Sequence, residues 1–270
     1  MTARPRRAAL LLALALTLTL PVAARAGVAD RIGATFSLMA ADFVKAAQPL
    51  EALVIAVDGD TLYLDAGEKA GAQVGQELTV YRKGDAFYHP ITGKVLGHYE
   101  TVLGYAQIRQ VQPQFSRAHF IPAPDAPSPR VEDGARITRG RIRLAVTPVL
   151  DLTTEKSDTR RVPYMLASLL ERSKRFQVVD PLTVGDVFAN GTVKVEEVLA
   201  QPDRAVSAAK TLDVSGWLVP TLIERNAVIY LDLTWISAVT GTPLFSRRHE
   251  LLPAGAVEEQ RFPWEPRPED

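Results

Sequence analysis

Between Val28 and Ala47 the apolar residues Val28, Ile32, Phe36, Met39, Phe43 and Ala47 recur every three or four positions, on one face of a helix that Pro49 ends. The spacing predicts an amphipathic helix over 27–50, its apolar face packed on the domain that follows. At Leu53 the period changes to two. The runs Leu53 to Val57 and Thr61 to Asp65 flank Asp58-Gly59-Asp60, which reads as a hairpin. Further strands are predicted over Glu77 to Arg82, Leu103 to Val111 and Phe115 to Ile121, with Gly84, Gly93 and Gly97 marking turns between them. Pro122, Pro124, Pro127 and Pro129 stiffen a loop over 122–129, and Ala135-Arg136-Ile137 then returns as a closing strand. A small, strongly bent sheet or barrel over 51–139 results.

Beyond Gly140 the pattern is mixed. Strands are predicted over Arg141 to Val149 and Phe176 to Val179, and helices over Pro163 to Arg175, Val195 to Leu199 and Asp203 to Lys210. Three β-rich runs close the region: Val214 to Ile223, Ala227 to Ser237 and Pro243 to Leu251. This order predicts an α+β fold with helices on one sheet over 140–252. Pro253, Pro263, Pro266 and Pro268 mark an extended tail over 253–270.

The first 26 residues follow a different logic. Arg4, Arg6 and Arg7 precede an apolar run from Ala8 to Leu20, then Pro21 and Ala24-Arg25-Ala26, the order of a secretory signal with cleavage between Ala26 and Gly27. The run is shorter than the roughly 20 helical residues a membrane span takes, so no transmembrane anchor is expected in the exported chain. With no cysteine anywhere, lipidation of an N-terminal cysteine, disulfides and thiolate chemistry are excluded together. A non-lipidated periplasmic protein is expected. The whole chain carries 31 basic and 31 acidic residues. Removal of 1–26 takes only arginines from that balance, and no basic run interleaved with aromatics follows, so nucleic acid is not an expected partner.

Two stretches resemble known families. Leu64-Asp65-Ala66-Gly67, Gly71 to Arg82, Pro90 to Gly97 and Gly104 to Ile108 resemble the SH3-like barrel of the flagellar assembly protein FlgT. Leu144 to Val149, Phe176 to Asp180 and Ala208 to Leu218 are similar to the TolB amino-terminal type of α/β domain, shared in outline by FlgT, the curli secretion protein CsgG and the penicillin-binding-protein activator LpoB. Leu231 to Ser237 with Thr240 to Leu244 adds its closing hairpin. The resemblance implies an N-terminal helix, an SH3-like β-barrel and a TolB-N-like α/β domain, together serving periplasmic assembly or scaffolding. The order of the two domains differs from that of FlgT.

The chemistry-bearing side chains are scattered. Gly67, Gly71 and Gly75 lack the GK[ST] of a phosphate loop and read as turn glycines. Asp58, Asp60 and Asp65 lack the calcium-loop spacing. His89, His98 and Glu100 form the one cluster of metal-ligand side chains, without a metal motif around it. Ser116 and His119 sit at an odd spacing on a strand, on opposite faces, with no nucleophile elbow. Trp217 and Trp235 read as core aromatics, and Arg247 to Glu250 as a solvated strand end or a partner rim. No catalytic residue, metal site or cofactor is therefore expected. The function predicted is a non-enzymatic scaffold or assembly factor of an envelope machine, flagellar or of secretion and pilus type, whose partners are envelope assembly proteins. The alternatives are a small-ligand or peptidoglycan-fragment binding module with a cleft between the domains, and a regulator of cell-wall synthesis.

Overall fold

The computed structural model describes residues 27–191 and 193–253. The expected signal, its cleavage residue Ala26 and the tail after Pro253 lie outside the described residues. Among the described residues no helix is long and apolar enough to cross a membrane. Helix α1 (Val28–Ala46) follows the predicted stripe, with Gly27 as its N-cap and Ile32, Phe36, Met39 and Phe43 buried.

Strands β1 (Leu50–Asp58), β2 (Thr61–Leu64), β3 (Glu77–Tyr88), β4 (Val95–Val111), β5 (Ser116–Pro122) and β6 (Gly134–Ile137) close a barrel in the order β1-β2-β5-β4-β3-β6. The period-2 pattern turns Val54, Leu62, Leu64, Leu78, Val80 and Ile108 inward. After the proline-rich loop, β6 pairs with both β1 and β3 and so removes both free edges. One expectation needs correction. Gly84 and Gly97 lie inside β3 and β4, and only Gly93, at φ 63°, sits in the turn. The two strands therefore run well past the barrel as one long hairpin. A bulge between Lys83 and Ala86 absorbs the first glycine, and Gly97 faces Phe87, whose ring lies where a Cβ would stand.

The second unit holds β7 (Ile142–Val146), β8 (Leu150–Asp151), helix α2 (Val162–Arg172), β9 (Phe176–Val178), helices α3 (Pro181–Ala189), α4 (Val195–Ala200) and α5 (Pro202–Leu212), then β10 (Gly216–Arg225), β11 (Val228–Ser237) and β12 (Pro243–Glu250). Its sheet runs β12-β11-β10-β7-β9, with β8 also on β10. The central strands β9, β7 and β10 are parallel and β10 to β12 form an antiparallel meander, so the fold is α+β as the pattern predicts. Helix α3 carries no clear stripe in the sequence, because Thr183, Gly185 and Asp186 interrupt it. Asp180 starts it, its carboxylate accepting from the Leu182 amide at 3.0 Å, and Pro181 opens the first turn.

Helices cover both faces of the sheet. On one side α3, α4 and α5 bury Val184, Val198, Ala205 and Ala209 against Trp217, Val219 and Ile236. On the other, α2 shares the work with α1, the helix that precedes the barrel in sequence. The Phe43 ring meets Phe245 of β12 edge-on at 5.0 Å, and Arg31 donates to the Leu252 carbonyl. Helix α1 thus completes the second unit, and the barrel is inserted between that helix and β7.

Candidate functional site

Two features stand out once the expected residues are placed. Asp65 accepts from the Leu53 amide at 2.7 Å, while Asp60 pairs with His119 at 3.2 Å. The nitrogen Nδ1 of His89 accepts from the Ile91 and Thr92 amides at the hairpin tip. His98 reaches the Gly84 carbonyl, and Glu100 accepts both arms of Arg136 at 2.9 and 2.5 Å, which holds its carboxyl below the usual range. No group of three metal-ligating side chains gathers among the described residues. Ser116 points into the barrel, buried, and His119 sits half-exposed outside it, so strand alternation separates the pair. Arg247 pairs with Asp42 and Arg248 with Asp232. Arg247, Arg248 and Pro243 sit on β12, the outermost strand of its sheet, where they blunt the edge against strand addition.

The seam between the barrel and the second unit, a sheet sandwiched between helices, is the first feature. Gly75, at φ 90°, lies so close to β12 that a Cβ would stand 2.1 Å from the Leu244 carbonyl oxygen. Beside it Gln76 donates to the Ala46 carbonyl at the end of α1. Arg175 is buried and donates to the carbonyls of Ala47, Thr138 and Gly140, tying the helix end and the inter-unit connection to the start of β9. Further along, the Ser237 hydroxyl donates to Glu77 at 2.8 Å, and Gln107 Nε2 donates to Glu77 at 2.9 Å and to Thr240 Oγ1 at 3.1 Å. Desolvation raises the Glu77 carboxyl above the usual carboxylate range in spite of those two donors. A cleft of about 670 Å³ opens along this seam. Glu77, Tyr105 and Arg136 line it from the barrel, and Lys210, Ser215 and Trp235 from the sandwich. The two tryptophans expected in the core differ here. Trp217 is fully buried and donates to the Ala205 carbonyl at 3.0 Å, whereas Trp235 lines the cleft and its buried Nε1, lying against Gly216, has no acceptor among the described residues.

The second feature is the projecting hairpin. Pairing of β3 with β6 ends at Tyr81 and pairing of β4 with β5 begins at Gly104, so residues 83–100 pair only with each other. Phe87, Tyr88, Ile91, Val95, Leu96 and Tyr99 are all exposed on this arm, Ile91 at 88%. Phe87 and Tyr99 pack against each other across one face, their ring centroids 5.4 Å apart and their planes tilted by 54°. Neither Glu77 nor the arm is marked in the sequence: Glu77 is one acid among many, and Gly84 and Gly97 carry a turn signal within the arm's strands.

No protein-family model matches the chain, and no curated protein matches it. Likenesses exist among solved structures. The LpoB C-terminal domain from Escherichia coli is 14% identical over 43% of this chain and 85% of that one, with a TM-score of 0.35. The corresponding domain from Salmonella enterica is 12% identical over 42% and 84%, at 0.32. Lipoprotein GNA1162 from Neisseria meningitidis is 17% identical over 40% and 78%, at 0.34. Likeness this weak defines neither family nor function. The fold and site by themselves define a closed barrel inserted into a helix-covered sheet, with a cleft of mixed lining at the seam and an apolar arm.

Proposed function

We propose that the chain is an exported, non-enzymatic interaction protein of the cell envelope, which docks a partner protein on the arm of residues 83–100. The arm itself carries this reading. A two-stranded ribbon with both faces in water is marginally stable, and large apolar side chains held out on it contribute little to folding. Buried against a partner, the Phe87 and Tyr99 face would supply an aromatic anchor of the kind that dominates interfaces, and the ribbon's free edges would accept an added strand. The charged edge at β12 makes the second sheet a poorer platform. Export is supported by the N-terminal order of arginines, apolar run and Ala24-Arg25-Ala26.

The experiment is photo-crosslinking in cells with a reactive side chain in place of Ile91. A discrete adduct with one envelope protein is expected, and it should disappear in Phe87→Ser and Tyr99→Ser backgrounds that stay folded and abundant. If the adduct persists in those backgrounds, or no adduct forms and the arm-deleted chain still corrects the null phenotype, the docking reading fails.

Regulation of cell-wall synthesis is the more specific version we favour over flagellar assembly. The stretches that resemble the TolB amino-terminal type supply the parallel core β9-β7-β10, and its activator member LpoB acts on a penicillin-binding protein. Fold alone does not assign function, so the measurement is direct: purified chain added to purified penicillin-binding proteins should change the rate of glycan polymerisation. No change with any of them would remove this version and leave the docking reading standing.

A further inference from the structure

We infer that the chain beyond Pro253 turns back across α1 and docks in the groove between α1 and α2, fastening the first helix to the second unit. This surface is independent of the arm. A groove of about 550 Å³ runs between the two helices, lined by Gly33 and Ser37 of α1 and by Tyr164, Met165 and Ser168 of α2. Arg161, just before α2, and Arg172, its last residue, line the two ends. Gly33 leaves room for the Met165 side chain at the floor, and Tyr164 is 48% exposed. Neither arginine makes an ion pair with a described carboxylate, and Asp158, near Arg161, is held by both arms of Arg160. An apolar trough with an unpaired cation at each end fits a segment whose aromatic side chains are bracketed by acids.

Residues 254–270 have that order. They carry five acids against two arginines, and Phe262-Pro263-Trp264 stands between Glu258-Glu259 and Glu265. The lengths agree. At about 3.1 Å per residue for an extended proline-rich segment, Glu259 and Glu265 are about 19 Å apart, and at about 1.5 Å rise along α2 the two arginines are about 16 Å apart. The route is short. The Leu252 amide donates to Thr35 Oγ1 and Arg31 donates to the Leu252 carbonyl, so the chain leaves the second unit against α1. At about 100° per residue, Arg31 and Thr35 lie on one side of that helix and Gly33 and Ser37 on the other, with the exposed Leu38 between them. The stretch from Leu252 to Phe262 reaches up to about 33 Å, enough to cross a helix about 10–12 Å wide. A tether this short holds the segment at an effective concentration on the order of millimolar, which favours the chain's own tail over a separate peptide.

The test uses the purified chain of residues 27–270 with fluorotryptophan at its three tryptophans, the Trp264 resonance being assigned through Trp264→Phe. With no native cysteine, a nitroxide goes on one introduced thiol at a time. On Ser168→Cys, in the groove, it should broaden the Trp264 line strongly. On Glu196→Cys, across the sheet on α4, it should leave that line sharp. Arg161→Gln with Arg172→Gln keeps good helix formers at both positions and should at least halve the broadening, as should Phe262→Ser. Equal broadening from both labels, or none from Ser168→Cys in a chain that unfolds cooperatively, overturns the proposal, and so does broadening that neither variant reduces. A mixture of labelled chain ended at Pro253 with unlabelled fluorinated chain should show no broadening. Broadening there means that the groove takes the tail of a second copy, and the intramolecular assignment falls. An arm-deleted chain should behave as wild type throughout, so failure here is distinguishable from failure of the docking reading.

Discussion

The seam and the arm are built from the same barrel strands and put β3 to opposite uses. At its start, Glu77 is hydrogen-bonded across to the sandwich, and Gly75 just before it touches β12 so closely that no side chain fits. At its far end, Phe87 and Tyr88 stand exposed on a ribbon whose neighbours have already turned away. The difference shows how one strand can be structural at one end and available at the other. Where several elements converge, polar groups are consumed in pairs and substitutions should register as lost stability. Where the strand outruns its neighbours, apolar groups are left unspent and substitutions should register as lost binding.

The largest effect is expected from α1. Residues 141–252 read in sequence as a self-sufficient unit, yet the face of the sheet bearing Leu218, Leu231, Leu233 and Trp235 is partly covered by Ile32, Phe36, Met39 and Phe43. Burying each of these large side chains is worth about 1.5–3 kcal/mol, so their combined loss exceeds what a marginally stable domain can spare. A chain of residues 141–252 should be insoluble or molten, and the same piece supplied with residues 27–47 through a flexible linker should unfold cooperatively in urea. A cooperative transition from the piece without α1 would break the assignment of α1 to the second unit.

Next comes Arg175. Truncation to alanine leaves the carbonyls of Ala47, Thr138 and Gly140 without the donor that gathers them. Hydrogen bonds to a charged group contribute about 1.5–3 kcal/mol each, and partial access of water offsets some of that, so a loss of about 3 kcal/mol is expected in chemical denaturation. Lysine should recover only part of it, because an ammonium cannot span three carbonyls as a planar fork does. Equal stability of Arg175→Ala and wild type would mean the seam is not held there.

How much of this was legible follows from how far each feature's cause lies along the chain. The stripe of α1, the alternation in β1 and β2 and the turns at Arg225-Asn226 and Thr240-Gly241 that separate β10, β11 and β12 are local and can be read from neighbouring residues. Burial of Glu77 depends on Ser237, and the role of Arg175 depends on Ala47 and Thr138, none of them near in sequence. The cleft was expected only in outline, as a space between two domains, and its lining could not be named. The arm failed for another reason. Gly84 and Gly97 carry a signal that normally means a turn, and the bulge and the Phe87 ring that accommodate them are visible only in three dimensions.

A smaller effect, with a definite sign, is expected from pH. Because burial raises the Glu77 carboxyl above its ordinary value, the folded chain holds that proton to a higher pH than the unfolded chain does. In the window between the ordinary and the raised value the folded state binds more protons, so this group makes stability fall as pH rises. Glu77→Gln removes the titration and keeps a carbonyl to accept from Ser237. Thermal unfolding followed from about pH 4 to pH 7 should therefore decline less in the variant than in wild type, after the carboxyls common to both cancel in the comparison. A steeper decline in Glu77→Gln would mean the carboxylate is stabilised by the seam and would reverse the assignment.

The smallest effect on stability, and the one that sharpens the contrast most, belongs to the arm. Ile91→Ser and Leu96→Ser alter exposed side chains, so each should lie within about 0.5 kcal/mol of wild type in urea unfolding. Phe87→Ser should cost more than these two, since its ring covers Gly97 and meets Tyr99, yet less than any seam substitution, because the ribbon can fray without opening the barrel. Hydrogen exchange gives an independent reading. Amides of residues 83–100 should exchange through local opening ahead of those in the barrel body, and Phe87→Ser should accelerate the arm alone. If Phe87→Ser instead lowers protection across β1, β2 and β5, the arm is coupled to the barrel core. Its exposed aromatics would then count as structure, and the division between a seam that holds and an arm that docks would fail.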